Sequence, residues 1–207
     1  MANKPTILRI NPQNPQERLL RQALQVVADG GLIAYPTDTC YGIGCDLFNK
    51  AGIEKIYQLK RRPLSQPFSL ICADLKDISE YARVSNYAYK TMKRLLPGPY
   101  TFILEGSRLV PKIMLTRRKT AGIRVPNHPI CLGLVKLLGH PIISTSASRA
   151  DDVVMSDPYE IADYFKAYLD VVVDGGVIMP EPSSVISLID DVPEIIREGK
   201  GDVSDFE

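Results

Sequence analysis

Lys60, Arg61 and Arg62 are three consecutive cations, followed by Pro63 and, past Leu64-Ser65-Gln66, by Pro67 and the run Phe68-Ser69-Leu70. Adjacent like charges repel, so such a triplet in a proline-stiffened loop makes most sense where something anionic meets it; phosphate is the obvious candidate. Taken alone, a Lys-Arg-Arg run is more often a solvated loop. Two hydroxyl-rich segments, Thr37-Asp38-Thr39 and Ser144-Thr145-Ser146-Ala147-Ser148, each follow an apolar run. Hydroxyls and backbone amides there suit hydrogen bonding to a ligand, although turn formation and capping account for the same residues. Gly42 and Gly44 allow close backbone approach to a ligand. Arg124 is either a grip on an anion or a surface ion pair.

Cys40, Cys45, Cys72 and Cys131 form no Cys-x-x-Cys pair, and His128 and His140 are not spaced to complete a metal cluster with them. Cys40 lies in a turn after a strand and has the position of a nucleophile. That role needs a neighbouring base and a depressed thiol pKa, neither of which the sequence displays, so the reading is a small buried side chain. With no apolar signal region and no membrane-length run, the thiols are expected to be reduced and the protein cytoplasmic.

The net charge of +1 conceals a segregation. Residues 50 to 124 hold 16 Lys+Arg and 5 Asp+Glu, while the remainder holds 9 and 19. If the basic side chains converge, they create a positive field for nucleotide or RNA; if the acidic remainder pairs with them, they do not. At 207 residues with 45% hydrophobic content and no linker-like stretch, the chain reads as one domain with one sizeable core.

The elements that must position these residues alternate between strand and helix. Thr6 to Ile10 reads as a strand, and a helix follows with Asn14 as N-cap, Pro15 at its first position and Gly30-Gly31 at its end. Leu32 to Tyr35 is a buried strand that runs into the Thr-Asp-Thr turn. Asn49 caps a helix delivering the chain into the basic loop. Phe68 to Cys72 is a strand, Asp74 opens a short helix, and Ser85 caps another whose Lys90, Lys93 and Arg94 form a basic face. Tyr100 to Leu104 is a strand, residues 107 to 120 a mobile basic excursion carrying Arg117-Arg118-Lys119, and Ala121 to Val125 another strand. Asn127 caps the next helix, and strands follow at Pro141 to Ser144, Leu169 to Val173 and Val185 to Ile189, with an edge hairpin over Pro193 to Arg197. The expected architecture is α/β, with a twisted mixed parallel and antiparallel sheet flanked by helices.

Several separated motifs, in one order, resemble a known family. The Lys60/Arg62 pair with Pro63 and Pro67 is similar to the basic Lys-x-Arg loop of the YrdC-like/YciO-like family, the threonylcarbamoyl-adenylate synthase superfamily. Tyr35-Pro36-Thr37-Asp38-Thr39-Cys40-Tyr41-Gly42-Ile43-Gly44 resembles its Pro-Thr-acidic-Thr-x-Tyr-Gly-x-Gly segment. Pro97-Gly98-Pro99-Tyr100-Thr101, Gly122-Ile123-Arg124-Val125-Pro126, Ser144-Thr145-Ser146-Ala147, Pro182-Ser183-Ser184-Val185 and Arg197-Glu198-Gly199 follow in the family's order. The resemblance covers roughly residues 15 to 200 and implies a single YrdC-like domain over 1–207 with a concave basic cavity.

The reaction it implies takes L-threonine, hydrogencarbonate and ATP to threonylcarbamoyl-AMP and pyrophosphate, a nucleotidyltransferase step that feeds tRNA modification. By resemblance Lys60, Arg62, Ser144 and Ser146 are catalytic. Thr37, Tyr41, Thr101 and Arg124 hold threonine, the arginine by a bidentate grip on its carboxylate. Lys60, Arg62, Pro67, Ser146, Ser148, Ser183 and Arg197 contact the nucleotide. Mg²⁺ accompanies ATP, held mainly by phosphates and water, with no metal ligands expected from the protein. The family's synthases carry Ser-x-Asn where this chain has Ser146-Ala147-Ser148. Serine lacks the amide's reach and its two N–H donors, which is the pattern expected of the YciO-like branch and points to weak activity. The alternative from another class is a non-catalytic protein that binds double-stranded RNA or tRNA through phosphate contacts.

Overall fold

Side chains on neighbouring strand positions point to opposite faces, so a sheet buried on both sides places alternate residues in two separate cores. The computed structural model of the chain, which describes residues 4–61, 63 and 68–207, follows this rule. Among the described residues, strands β1 (Thr6–Arg9), β2 (Ile33–Pro36), β3 (Tyr41–Asp46), β4 (Ser69–Ile71), β5 (Tyr100–Glu105), β6 (Thr120–Arg124), β7 (Ile142–Ser146), β8 (Val171–Asp174), β9 (Ser184–Ser187) and β10 (Glu194–Arg197) form one mixed sheet. Their order is β1-β8-β2-β3-β7-β4-β6-β5-β9-β10. Helices α1 (Glu17–Ala28), α2 (Lys50–Lys60), α3 (Leu75–Tyr81), α4 (Asn86–Leu95), α5 (Pro129–Leu138) and α6 (Pro158–Tyr164) flank it in a single-domain α/β fold. No helix among the described residues is long and apolar enough to cross a membrane.

On one face Ala34, Ile43, Leu70, Ile143 and Val172 pack with Phe102, Ile123 and Ile186 beneath α2, α3, α4 and α6. On the other, Ile33, Tyr35, Ile71, Ile142, Val171 and Val173 pack beneath α1 and α5, through Leu20, Ala23, Leu24 and Val27 of the first helix and Ile130, Cys131, Leu134 and Val135 of the second. Helices α1 and α5 lie over the β1-β8-β2-β3 side of the sheet and reach Ile142 and Ile71 at one end of β7 and β4, so among the described residues the outward side chains of β6, β5 and β9, with Ser69 of β4, have no helix over them. The bare half-face is where the site lies.

Several boundaries differ from the sequence expectation. Helix α1 starts at Glu17 after an uncapped Gln16, rather than from Asn14. The Asn11 side chain accepts from the amides of Gln13 and Asn14 at 2.9 and 3.4 Å and draws 11–14 into a turn first. Helix α5 begins at Pro129 with His128 as its cap. Asn127 lies outside it, and its amide donates to Asp38 instead. Asn49, Asp74 and Ser85 do cap α2, α3 and α4, their side chains accepting from Gly52, Asp77 and Ala88. The 107–120 excursion is anchored: Val110 and Met114 are buried, and the Thr116 and Thr120 hydroxyls meet at 2.7 Å. Two elements are new. The segment after the Thr-Asp-Thr turn is a full strand, β3, and Asp157-Pro158 opens helix α6, the aspartate accepting from Tyr159 and Glu160.

Candidate functional site

The bare half of the sheet is paved with small and hydroxylated residues. Gly42 on β3, Ser144 and Ser146 on β7, Ser69 and Ile71 on β4, Thr120, Gly122 and Arg124 on β6, Thr101 and Ile103 on β5, and Val185 on β9 line a cleft of about 500 Å³. Register sets them side by side: Gly42 faces Ser146, Ser69 faces Ser144, and Ile103 faces Gly122. Every one of these strands turns its alternate residues into the α2–α4 core, so the cleft floor is rigid.

At one end the β2–β3 turn holds Arg124. The Thr37 hydroxyl donates to the Cys40 carbonyl at 2.6 Å and accepts from the amides of Thr39 and Cys40, both at 3.2 Å. Its hydrogen-bonding capacity is thus engaged within the turn, although the residue lines the cleft. The hydroxyl that meets the guanidinium is that of Thr39, which accepts from Arg124 Nη2 at 2.7 Å. Nη2 also donates to the Asp38 carboxylate, whose second oxygen accepts from the Asn127 amide at 3.1 Å. Both forks of a guanidinium pass through Nη2, so in this arrangement Arg124 offers an anion single hydrogen bonds rather than the bidentate grip expected from sequence. Arg124 is 8% exposed, and its Nε is buried with no partner among the described residues.

Thr101 sits beside Arg124, because β5 and β6 pair Phe102 with Ile123. Its hydroxyl meets that of Ser183 at 2.8 Å. Arg197 donates from Nε and Nη2 to the Ser183 carbonyl at 3.1 and 2.7 Å. Burial pulls the Arg197 pKa below its ordinary value, with Arg124 acting in the same direction. Two guanidiniums therefore converge on one end of the cleft, whereas the sequence reading assigned them to different ligands. Cys40 is also on the lining, and burial pushes its thiol up, so it is no poised nucleophile.

The cleft's other end holds Thr116, Ser148, Asp152 and Val154. Lys60, the last residue of α2, reaches this wall: its ammonium donates to the Ser148 hydroxyl at 2.7 Å, the Ser148 carbonyl at 3.1 Å and the Ser146 carbonyl at 3.3 Å. The Tyr35 hydroxyl, from below, donates to Ser144 at 2.7 Å.

Among the described residues, several of the cations segregated in sequence are engaged away from the cleft. Among the described cations of residues 50 to 124, Arg124 lines the cleft and Lys60 reaches its wall. Lys50, Arg83 and Arg94 pair with Glu54, Glu105 and Asp205 at 3.7, 3.3 and 2.9 Å. Lys55 donates to the Gly30 carbonyl at 2.9 Å. Arg117, Arg118 and Lys119 are exposed on the turn between Thr116 and Thr120. The lining is positive through Arg124 and Arg197 against Asp152, and one of those arginines comes from outside the basic segment.

The Sua5/YciO/YrdC family model, described as telomere recombination, matches residues 25–199. The chain belongs to the Sua5/YciO/YrdC family. It is 43% identical over 199 residues to the uncharacterized protein YciO of Escherichia coli, spanning 95% of this chain and 97% of that one. The crystal structure of E. coli YciO matches it with a TM-score of 0.93 at 42% identity, over 98% of this chain and 100% of that chain. A threonylcarbamoyl-AMP synthase of Nitrosococcus oceani is 36% identical over 157 residues, 75% of this chain and 85% of the relative. P. abyssi Sua5, solved complexed with L-threonine, matches with a TM-score of 0.87 at 28% identity, over 93% of this chain and 57% of that one.

Of the family-motif residues singled out from the sequence, Thr37, Thr101, Arg124, Ser144, Ser146, Ser148, Ser183 and Arg197 line the one cleft. Arg62 and Pro67 lie outside the described residues. Tyr41 is not on the lining. It faces the opposite core, and its hydroxyl donates to the Gly176 carbonyl at 2.8 Å and accepts from the Gly175 amide at 3.2 Å. Sequence reasoning named Thr39, Ser69 and Gly122 only within longer segments and passed over Thr116 and Thr120. Period-2 alternation marks Thr120-x-Gly122-x-Arg124 as one face of a strand, and that signal was available.

Proposed function

We propose that the chain is an ATP-dependent L-threonylcarbamoyl-AMP synthase. In this reaction the threonine amine captures carbon dioxide as a carbamate, a carbamate oxygen attacks the α-phosphorus of ATP, and pyrophosphate leaves. The carbamate and ATP are both anionic, so catalysis rests on holding them together and offsetting their repulsion. The observation that carries the reading is Arg124: a guanidinium buried in a cleft paved with glycine and hydroxyls, with an Nε left unpartnered. A buried donor without a partner costs free energy, and a ligand carboxylate supplies what it lacks.

The amino acid lies against Arg124, Thr39 and Thr101, and the phosphates run along Ser144, Ser146 and the Lys60 wall. Arg62, Ser183 and Arg197 take further anionic oxygens. Asp152 is the one carboxylate on the described lining, and no group of three His, Cys, Asp or Glu residues is found among the described residues. The Mg²⁺ brought with ATP is held mainly by phosphates and water. Relatives named threonylcarbamoyl-AMP synthase and the L-threonine complex of P. abyssi Sua5 support the assignment.

Pyrophosphate release, with each substrate omitted in turn and the adenylate confirmed by mass, tests it. Slow release that requires both L-threonine and hydrogencarbonate is expected, with Arg124→Ala losing the threonine dependence first. Release indifferent to threonine, or none at any threonine concentration, rejects the assignment.

A further inference from the structure

Asp38 is absent from the cleft lining, yet three residues from two separate segments, 124–127 and Lys200, converge on it. One carboxylate oxygen receives Arg124 Nη2 and the other the Asn127 amide at 3.1 Å, while its main-chain carbonyl receives Lys200 Nζ at 2.7 Å. The Asp38 and Arg124 side chains are 12% and 9% exposed, so the pair is nearly buried and its charges are weakly screened. Thr39 Oγ1 holds the same Nη2 at 2.7 Å. Two acceptors on one nitrogen fix the plane of the guanidinium and leave Nε as the unpartnered buried donor.

The electrostatic consequence follows from the neighbour. Arg197 lines the same cleft as Arg124, whose charge acts on it, and Lys200 Nζ stands on the Asp38 carbonyl, so without Asp38 this end would present two guanidiniums and an ammonium with no Asp38 charge to offset them. Such a site prefers a phosphate dianion to any carboxylate. With Asp38 behind Arg124 the pair is neutral in sum but still offers N–H donors, and the second charge of a phosphate is repelled by the aspartate. We infer that Asp38 is a positioning residue that orients Arg124 and holds this end of the cleft to singly charged carboxylates in preference to phosphate. The identity of that carboxylate as an amino acid rests on the function proposed above, whereas the preference itself does not.

The test is calorimetric titration of the full chain with L-threonine, L-lactate and inorganic phosphate, in the parent and in Asp38→Asn, Asp38→Glu and Thr39→Val. The parent should bind a carboxylate more tightly than phosphate. Asp38→Asn keeps the shape and removes the charge, and should shift the preference toward phosphate by about tenfold. Asp38→Glu should retain the carboxylate preference. Thr39→Val loosens the guanidinium without altering charge and should weaken carboxylate and phosphate alike. Equal effects of Asp38→Asn on both anions overturn the inference, as does a parent that binds phosphate at least as well as both carboxylates, or none of the three; the parent's own ranking needs no variant to fold. Binding of L-lactate without L-threonine would sink the proposed function and leave this inference standing.

Discussion

Ser148 stands where the family resemblance leads one to expect asparagine, and among the described residues its hydroxyl is the closest of three acceptors around the Lys60 ammonium, at 2.7 Å. The other two are main-chain carbonyls of the same segment, so the serine ties the end of α2 to the loop that follows β7. An asparagine carbonyl can accept from the ammonium as the hydroxyl does, and its amide adds two donors that serine lacks. Ser148 is 6% exposed and lines the cleft, so the longer side chain has the cleft itself to extend into. Ser148→Asn should therefore raise threonine-dependent pyrophosphate release, on a scale of about tenfold per 1.4 kcal/mol of added transition-state interaction. An unchanged rate, in a variant that still melts like the parent and still binds ATP, would place the slow step elsewhere. At this scale the sequence was a partial guide. It marked the Thr-Asp-Thr turn, but not that Thr37 would close the turn while Thr39 met the arginine, since that depends on which hydroxyl the turn's own amides capture.

Strands explain both the site and the errors in reading it. Segment 41–46 carries two glycines, which are depleted in strands, and no strand was read there from the sequence. In the fold both glycines lie under the ring of Tyr35: a Cβ on Gly42 would stand 3.2 Å from Tyr35 Cζ and one on Gly44 2.9 Å from Cε1. A tertiary contact thus selects glycine inside a strand, and no local propensity reports it. Helix caps were more legible, because Asn49, Asp74 and Ser85 each act on an amide three residues on, a local interaction the sequence contains in full. Gly122 offers a test that separates fold from function. A Cβ there would meet Ser69 Oγ at 3.2 Å and Thr101 Cγ2 at 3.4 Å, contacts that small movements of side-chain ends accommodate. Gly122→Ala should leave the melting temperature unchanged or raise stability by up to about 1 kcal/mol, since alanine reduces the entropy of the unfolded chain. The same methyl projects into the cleft beside Arg124 and should weaken L-threonine and ATP binding. A variant that binds both as the parent does would show that ligands do not reach the β6 floor.

Across the whole molecule, the two cores on either side of the sheet between them enclose most of its thiols. All four cysteines are free and buried: Cys45 and Cys72 in the core under α2–α4, Cys131 under α1 and α5, and Cys40 at the cleft. Burial disfavours the thiolate at each, and it pushes Cys45 and Cys131 up to about 12. A thiol whose folded pKa lies above its unfolded one adds no pH dependence while both states are protonated. As the pH passes the ordinary thiol value the unfolded chain begins to ionise alone, and stability falls until the folded value is reached. Between about pH 9 and 12 each of these two cysteines should remove about 1.4 kcal/mol of stability per pH unit, while below about pH 8 neither should contribute any slope. Tyr35 and Tyr41, also buried and raised, steepen the fall at the alkaline end. Urea unfolding across this range measures the slope, and Cys131→Ala, though less stable throughout, should show a shallower one. Near neutral pH a small thiol reagent should label the native protein slowly and all four cysteines at once on unfolding. Rapid native labelling of Cys40 that also stops pyrophosphate release would mean that this thiol is ionised in the cleft, against the burial that surrounds it. A stability curve flat to pH 11 would mean that the cores admit the thiolates without cost.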